Sequence, residues 1–444
     1  MHSRQLPRPF APTFATLLVA LLGSAHAATP TIRAIRTSTF TLALRADTQT
    51  LAGLAPLGET DFDFLPAHLE AKRRENGYVH LGDLNLRLRS GVDWRDFTSY
   101  LARTPVRALP TDDGALAAAD ITATFGTDLP LTIERRWRAD GRALVLTFTL
   151  TNNSTAPVEI GGLGMPVPFD NVLDGRSLDE AHQHASFVDP SIAGDAGYLQ
   201  VTRLNGHGPA LLVLPEGRTP LEAWRPNLED RTKRGHTFEG FFDWMVASRG
   251  FAEREWRDAG EPWVPPTSFM LAAGERRTLG LRFVLAPSIR AIESTLIAER
   301  RPVVVGIPGY VVSPDLDAAL FVSSPHRVAH LDVQPAGALE VTAGASGAWQ
   351  RYEVRGITWG RARLTITYDD GSTQAINYFV TKTPTQVARD LGAFTTRRQF
   401  FDDAADPFAR APAILSFDRD AGLVTQETRV WVAGMSDEAG AGSF

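Results

Sequence analysis

Cysteine is absent from the 444 residues. That excludes disulfides, thiolate nucleophiles, cysteine-bound zinc and iron–sulfur clusters, so an exported chain of this kind must be stabilised by core burial. A chain this long can do so, because long chains bury most of the surface they expose when unfolded. Long apolar runs are also missing. No stretch past the N-terminus approaches the ~20 apolar residues of a membrane-spanning helix, so no membrane anchor is expected. A basic stripe is missing too. Lys and Arg number 45 against 51 Asp and Glu, the net charge is −6, and the two signs are interspersed. Nucleic acid and anionic membrane surfaces are therefore poor partners. No G-x-x-x-x-G-K-[ST] loop, strand-linked G-x-G-x-x-G or G-x-S-x-G elbow occurs. Nucleotide binding and α/β-hydrolase chemistry lack support, and no motif implies a cofactor.

The N-terminus carries a compartment signal. Arg4 and Arg8 precede an apolar run from Phe14 to Leu22, and Ala25-His26-Ala27 places small residues where a signal peptidase reads. Residues 1–27 are read as a cleavable signal peptide. The mature chain, its charge −8 without Arg4 and Arg8, is expected to be secreted or periplasmic.

Most of the chain has strand periodicity. Phe40, Leu42 and Leu44 alternate with polar or small neighbours. So do Leu84, Leu86 and Leu88, and Leu144, Leu146, Phe148 and Leu150. A period of two places one set on a core face. Residues 28–290 are assigned to one large β-sandwich. Ile289, Ile292, Leu296 and Ile297 predict a short linker helix, residues 291–301. Residues 302–382 fit a small immunoglobulin-like sandwich. Its clearest element is a hairpin in which Ala362 to Tyr368 and Thr373 to Val380 flank Asp369-Asp370-Gly371-Ser372. Residues 383–444 then turn helical: Thr383-Pro384 is a helix start, and Val387, Leu391 and Phe394 form a stripe. Trp431 to Phe444 reads as a second helix whose packing partners should follow, so the chain is expected to stop early.

Residues 222–263 are the densest candidate for chemistry. Trp224, Trp244, Trp256 and Trp263 lie among Glu239, Asp243, Glu253, Glu255 and Asp258. Aromatic faces stack on the C–H faces of sugars, and carboxylates accept their hydroxyl hydrogens. Two carboxylates across a glycosidic bond are also the usual hydrolytic pair. The competing reading is that these aromatics fill a core or an interface. Asp437-Glu438 is the second candidate. Adjacent acids on a helix diverge, so at most one would face a cleft as general acid, and acids in a first helical turn are ordinary. His182-Gln183-His184 could put two imidazoles on one strand face. Without a third ligand at a known spacing, an exposed loop fits better and no metal is assigned. Gly161-Gly162-Leu163-Gly164-Met165-Pro166 is read as a bend between sheets.

Several segments carry a resemblance. GYVHLGDL (77–84), EIGGLGMPVPFDN (159–171), FEGFFDWM (238–245), EREW (253–256), GIPGY (306–310) and WVAGMSDEAGAG (431–442) resemble a family of large secreted microbial proteins. That family is catalogued as domain of unknown function 5695 and grouped with six-hairpin glycosidases. The resemblance implies a mainly β chain: an N-terminal β-supersandwich, a smaller immunoglobulin-like sandwich, and then an (α/α)6 barrel carrying the active site. It implies that this chain stops within the first barrel helices, near Asp437 and Glu438. Fold analogy alone assigns no catalytic role.

Two functions follow as expectations. In the first, the chain is the N-terminal portion of a secreted glycoside-hydrolase-like protein acting on a poly- or oligosaccharide, inactive by itself. In the second, it is a non-catalytic carbohydrate-binding or cell-surface module. In both the partner is carbohydrate, and the candidate contacts are Trp244, Trp256, Glu239, Asp243 and Glu255.

Overall fold

The structure, a computed structural model, describes residues 31–70, 79–101, 104–112, 114–227, 241–394, 414–418 and 423–427. The signal-peptide segment, Glu239, Asp437, Glu438 and the expected Trp431–Phe444 helix lie outside the described residues.

The protein is mainly β, with several sheets and a few short helices. An eight-stranded antiparallel sheet runs from Ser186–Ser191 through Tyr198–Arg203, Ala210–Glu216, Arg276–Ala286, Ala143–Asn152, Leu131–Asp140 and Ala115–Asp120 to Arg107–Ala108. A six-stranded sheet has the order Ala223–Pro226, Phe242–Ala247, Val158–Pro166, Asn85–Arg89 and Arg95–Thr98, with Phe269–Leu271 joining at Val158–Pro166. A three-stranded sheet, Ile32–Arg36, Phe40–Arg45 and Leu51–Pro56, adds to them.

One apolar core joins these three sheets, and the period-two pattern supplies it. Phe40, Leu42 and Leu44 enter it from the small sheet, Leu86 and Leu88 from the six-stranded sheet, and Leu144, Leu146, Phe148 and Leu150 from the eight-stranded sheet. The alternate residues of Asn85–Arg89, namely Asn85, Arg87 and Arg89, are thereby left on the opposite face. Arg135 is an exception to polar-out alternation. It lies between Ile133 and Trp137 on the core side and is 2% exposed. Its guanidinium donates to the carbonyls of Gly82 and Thr48, and burial lowers its pKa to about 10.

Two further four-stranded sheets, built from Val303–Ile307 to Thr373–Val380, enclose a second core. The expected hairpin is present: Gly360–Tyr368 pairs with Thr373–Val380, and Gly371 turns the chain at φ +77°. Helix α1 is Leu178–His184, α2 is Arg249–Ala252, α3 is Ile292–Ala298 and α4 is Pro384–Phe394. Ile292 and Leu296 of α3 are buried, whereas Ile289 and Ile297 are exposed. Helix α4 starts at Thr383, whose hydroxyl accepts from Gln386 N at 3.4 Å. A hairpin of Ile414–Asp418 with Leu423–Glu427 follows.

Two readings need correction. Gly161 to Pro166 is not a bend: it continues the Val158–Pro166 strand inside the six-stranded sheet, with register shifts after Ile160 and Leu163. Glycine is used there because other groups lie close against the strand. A Cβ on Gly161 would stand 2.1 Å from the Trp94 ring. His182 and His184 lie on α1, not on a strand or loop, where residues two apart do not face each other. Ser177 caps that helix in a capping box with Glu180.

Candidate functional site

The outward face of the six-stranded sheet carries the candidate site. Its strand pairing sets Gly164 opposite Met245 and Asn85, and Asp243 opposite Arg225. Asp243, Met245, Gly162, Gly164, Asn85 and Arg225 line a cavity of about 140 Å³ that Phe251, Phe97 and Tyr100 help to wall. That volume is close to the ~150 Å³ of a cavity known to hold a benzene ring. Helix α2 drops Phe251 over Gly162. A Cβ on Gly162 would meet that ring at 2.7 Å, and one on Gly164 would meet Asp243 Oδ2 at 2.8 Å. The two glycines keep the floor of the site at backbone level.

Asp243 is fully buried. Asn85 Nδ2 donates to both its oxygens, at 3.1 and 3.0 Å. Asn227 Nδ2 donates to Oδ1 at 2.8 Å and Arg225 Nη1 to Oδ2 at 3.2 Å. Burial pushes its carboxyl above the usual range, against the opposing pull of Arg225, Asn227 and Asn85. With Nδ2 donating to both Asp243 oxygens, the Asn85 amide turns its Oδ1 the other way. Its Oδ1 is then a buried acceptor with no hydrogen-bond partner among the described residues.

Beside the cavity stands an arginine whose five N–H groups are all used. Arg87 reaches Asp96 at 2.6 and 2.8 Å, Glu255 at 2.6 and 2.7 Å, and the Gly250 carbonyl at 2.9 Å. Its guanidinium also lies 3.9 Å from the Phe251 ring centroid. The hydrogen bonds from Arg87 hold the Glu255 carboxyl below its ordinary range. Arg89 likewise pairs with Glu159 at 2.7 Å and Glu253 at 3.3 Å.

The candidates from the 222–263 stretch therefore divide. Asp243 sits in the cavity wall. Glu255 reaches the site through Arg87, and Trp256 through Phe251, on which it stacks at 5.3 Å. Trp244 is fully buried in the core face of the same sheet and donates from Nε1 to the Pro220 carbonyl at 2.9 Å. Trp224 stacks on Phe242 at 4.9 Å, and Trp263 lies elsewhere, 54% exposed. Glu239 lies outside the described residues.

Sequence reading missed Asn85, Arg87, Arg225 and Asn227, although the Leu-Asn-Leu-Arg-Leu-Arg alternation already set Asn85 and Arg87 on one face. It also missed Glu222. This carboxylate is buried, accepts from Ser248 Oγ, Thr267 Oγ1 and Thr267 N, and has its pKa raised by burial. Among the described residues no group of histidines and acids is placed to hold a metal ion, and no helix is long and apolar enough to cross a membrane.

Fold and site together define a mainly β protein with a cavity on the outward face of one sheet that has a buried carboxylate in its wall. The chain belongs to a family of unknown function, DUF5695, whose model matches residues 43–444. No curated protein matches the sequence. Among solved structures, a polysaccharide lyase superposes with a TM-score of 0.63 at 13% identity, over 88% of this chain and 53% of the lyase. The chain thus spans about half the length of that relative. A galactose mutarotase-like protein from Lactobacillus casei is also similar, with a TM-score of 0.35 at 13% identity, over 57% of this chain and 100% of that one.

Proposed function

We propose that this chain is the β-rich portion of an exported protein that acts on a polysaccharide, and that it seats one sugar unit in the Asp243 cavity. The observation that carries this reading is the unpartnered Asn85 Oδ1 in the wall of a ring-sized cavity. An unsatisfied buried acceptor is costly, and a sugar hydroxyl is a donor that would satisfy it. Phe251 and Tyr100 contribute apolar wall to the cavity, and Arg225 stands beside it. Glu255 and Trp256 contribute by holding Arg87 and Phe251, and Trp244 by fixing the strand from its core side. Superposition on a polysaccharide lyase supports the substrate class, and the signal-like residues 1–27 support export.

The arrangement favours binding over cleavage. Cleavage of a glycosidic bond by two carboxylates needs one protonated and one ionised acid across the bond. Here hydrogen bonds from Arg87 lower the Glu255 pKa, those from Ser268 and Arg89 lower that of Glu159 against the effect of burial, and Asp243 is occupied by Arg225 and two asparagines. Catalytic acids of the whole protein are assigned in this reading to the segment carrying Asp437 and Glu438. The chain alone should bind an oligosaccharide without shortening it. Calorimetric titration with hexaoses of cellulose, mannan, xylan, starch and polygalacturonate tests this. Asn85→Ala, and Thr98→Phe at the cavity rim, should each weaken binding at least tenfold with the circular dichroism unchanged. Unaltered affinity in both folded variants would overturn the assignment of the site. Product formation by the chain would overturn the binding-only reading.

A further inference from the structure

A second cavity, about 280 Å³, opens where the eight-stranded sheet meets the second core. One wall comes from Asp189–Ser191 and Tyr198–Gln200, the other from Val303, Tyr310 and the Gln374–Asn377 stretch, with Trp263 at its side. We propose that this cleft is a second glycan site, and that it takes an uncharged sugar. The proposal rests on the carbohydrate reading above but on none of its residues.

The shape of the cleft is fixed before any ligand arrives. Thr373 N donates to Asp195 Oδ2 at 3.0 Å, Ala375 N to the Ala193 carbonyl at 3.2 Å, and Arg218 Nη2 to the Asp370 carbonyl at 2.8 Å. The Ala375–Ala193 bond ties one wall to the other, and the other two join the same units beside the cleft. The loop bearing Trp263 is held by Arg363 Nη1 on the Pro262 carbonyl at 3.0 Å and Asn377 Nδ2 on the Trp263 carbonyl at 3.2 Å. A rigid cleft loses little entropy when it binds.

Its chemistry then selects the ligand. Trp263 is 54% exposed and Tyr310 37%; large aromatics left open beside a cavity with a few polar groups are the usual composition of a small-molecule site at a junction between units. Gln200 Nε2 donates to Asp189 Oδ2 at 2.6 Å, which holds that carboxylate as an acceptor for hydroxyls. The Tyr198 phenol, pushed up to about 12 by burial and by Asp189, stays protonated and can donate. Among the described residues no Lys, Arg or His lines the cleft and Asp189 is its one lining carboxylate, while the Arg361 guanidinium lies 5.9 Å from the Trp263 ring centroid. An anionic sugar would face the Asp189 charge with no cation among the lining residues, whereas a neutral sugar presents only C–H faces and hydroxyls.

The test is calorimetric titration of the full chain with cellohexaose, mannohexaose, xylohexaose, maltohexaose and hexagalacturonate. It compares the wild type with Trp263→Ala, Asn377→Ala and Asn85→Ala, and checks each fold by circular dichroism. Trp263 is mostly exposed, so its removal should leave folding intact. The expected result is two sites for a neutral hexaose. One should weaken at least tenfold in Trp263→Ala and Asn377→Ala, and the other in Asn85→Ala. A single site lost in Asn85→Ala and untouched by Trp263→Ala would overturn the cleft and leave the Asp243 reading standing. A single site lost only in Trp263→Ala would support the cleft and remove the Asp243 assignment. Hexagalacturonate binding at the cleft as tightly as a neutral hexaose would overturn the uncharged-sugar class. No binding of any hexaose would overturn the cleft and the carbohydrate reading together.

Discussion

Arg87 illustrates how a single residue organises the face around the cavity. Its five donors meet two carboxylates and a carbonyl, and its plane covers Phe251. Lysine offers a point charge with three donors and no plane, so Arg87→Lys is not conservative here. Asp96 and Glu255 are themselves well exposed and can be rehydrated. The loss should therefore fall near 2–3 kcal/mol, below that of a wholly buried pair, as a shift in the urea midpoint. A change within 0.5 kcal/mol would show that the network contributes nothing beyond geometry. Asp243 gives a pH signature. Its folded-state pKa is raised by burial, so its stabilising contribution is fully present below the unfolded value and is lost as pH rises through the folded value. An asparagine in its place does not titrate. The stability deficit of Asp243→Asn relative to wild type should thus be largest near pH 3.5 and shrink toward pH 7. Denaturant unfolding across that range measures it, and a deficit that widens with pH would mean that Arg225 outweighs burial.

At the scale of elements, what the sequence made legible was periodicity, and what it hid was proximity. The Leu84–Arg89 and Leu144–Leu150 alternations named the core face correctly, because one buried sheet face forces a period of two. The glycine run at 161–164 was misread for the same reason. Its requirement comes from Trp94, Phe251 and Asp243, which are distant in sequence, and a run of small residues carries no trace of what rests on it. The Trp244 and Asp243 neighbours show the limit clearly: adjacent on one strand, they point into the core and into the cavity wall, and nothing local distinguishes which one faces which side. Helix α4 was legible from its cap and stripe, and the structure leaves that stripe open, with Val387, Leu391 and Phe394 at 45%, 48% and 50% exposure. An exposed apolar row of this kind binds hydrophobic dyes. Leu391→Glu should lower the fluorescence of a bound naphthalene sulfonate and change stability by no more than ~0.5 kcal/mol. A large destabilisation would indicate that the row is packed in solution.

Over the whole molecule, the question is whether the two main cores melt together. Between them lies a third cluster. Leu212, Leu214 and Val284 from the outer face of the eight-stranded sheet meet Ile292 and Leu296 of α3 and Val303 at the start of the second unit, with Val305 and Trp349 packed alongside. The linker helix is thus a wedge with apolar groups on both sides rather than a tether. Polar ties through Asp195, Ala193 and Arg218 reinforce the junction, and the proposed cleft depends on the same junction. Leu296 is fully buried in it. Its truncation to alanine removes core volume that the surrounding strands cannot readily refill, which costs about 2–5 kcal/mol. Because the lost contacts join two cores, the effect should go beyond a uniform loss. Scanning calorimetry of Leu296→Ala should resolve two transitions where the wild type gives one. Ile297→Ala, exposed on the same helix, should keep the single transition. If Leu296→Ala instead lowers one undivided transition, the two cores are coupled mainly through the polar ties, and Asp195→Ala becomes the variant that should split them.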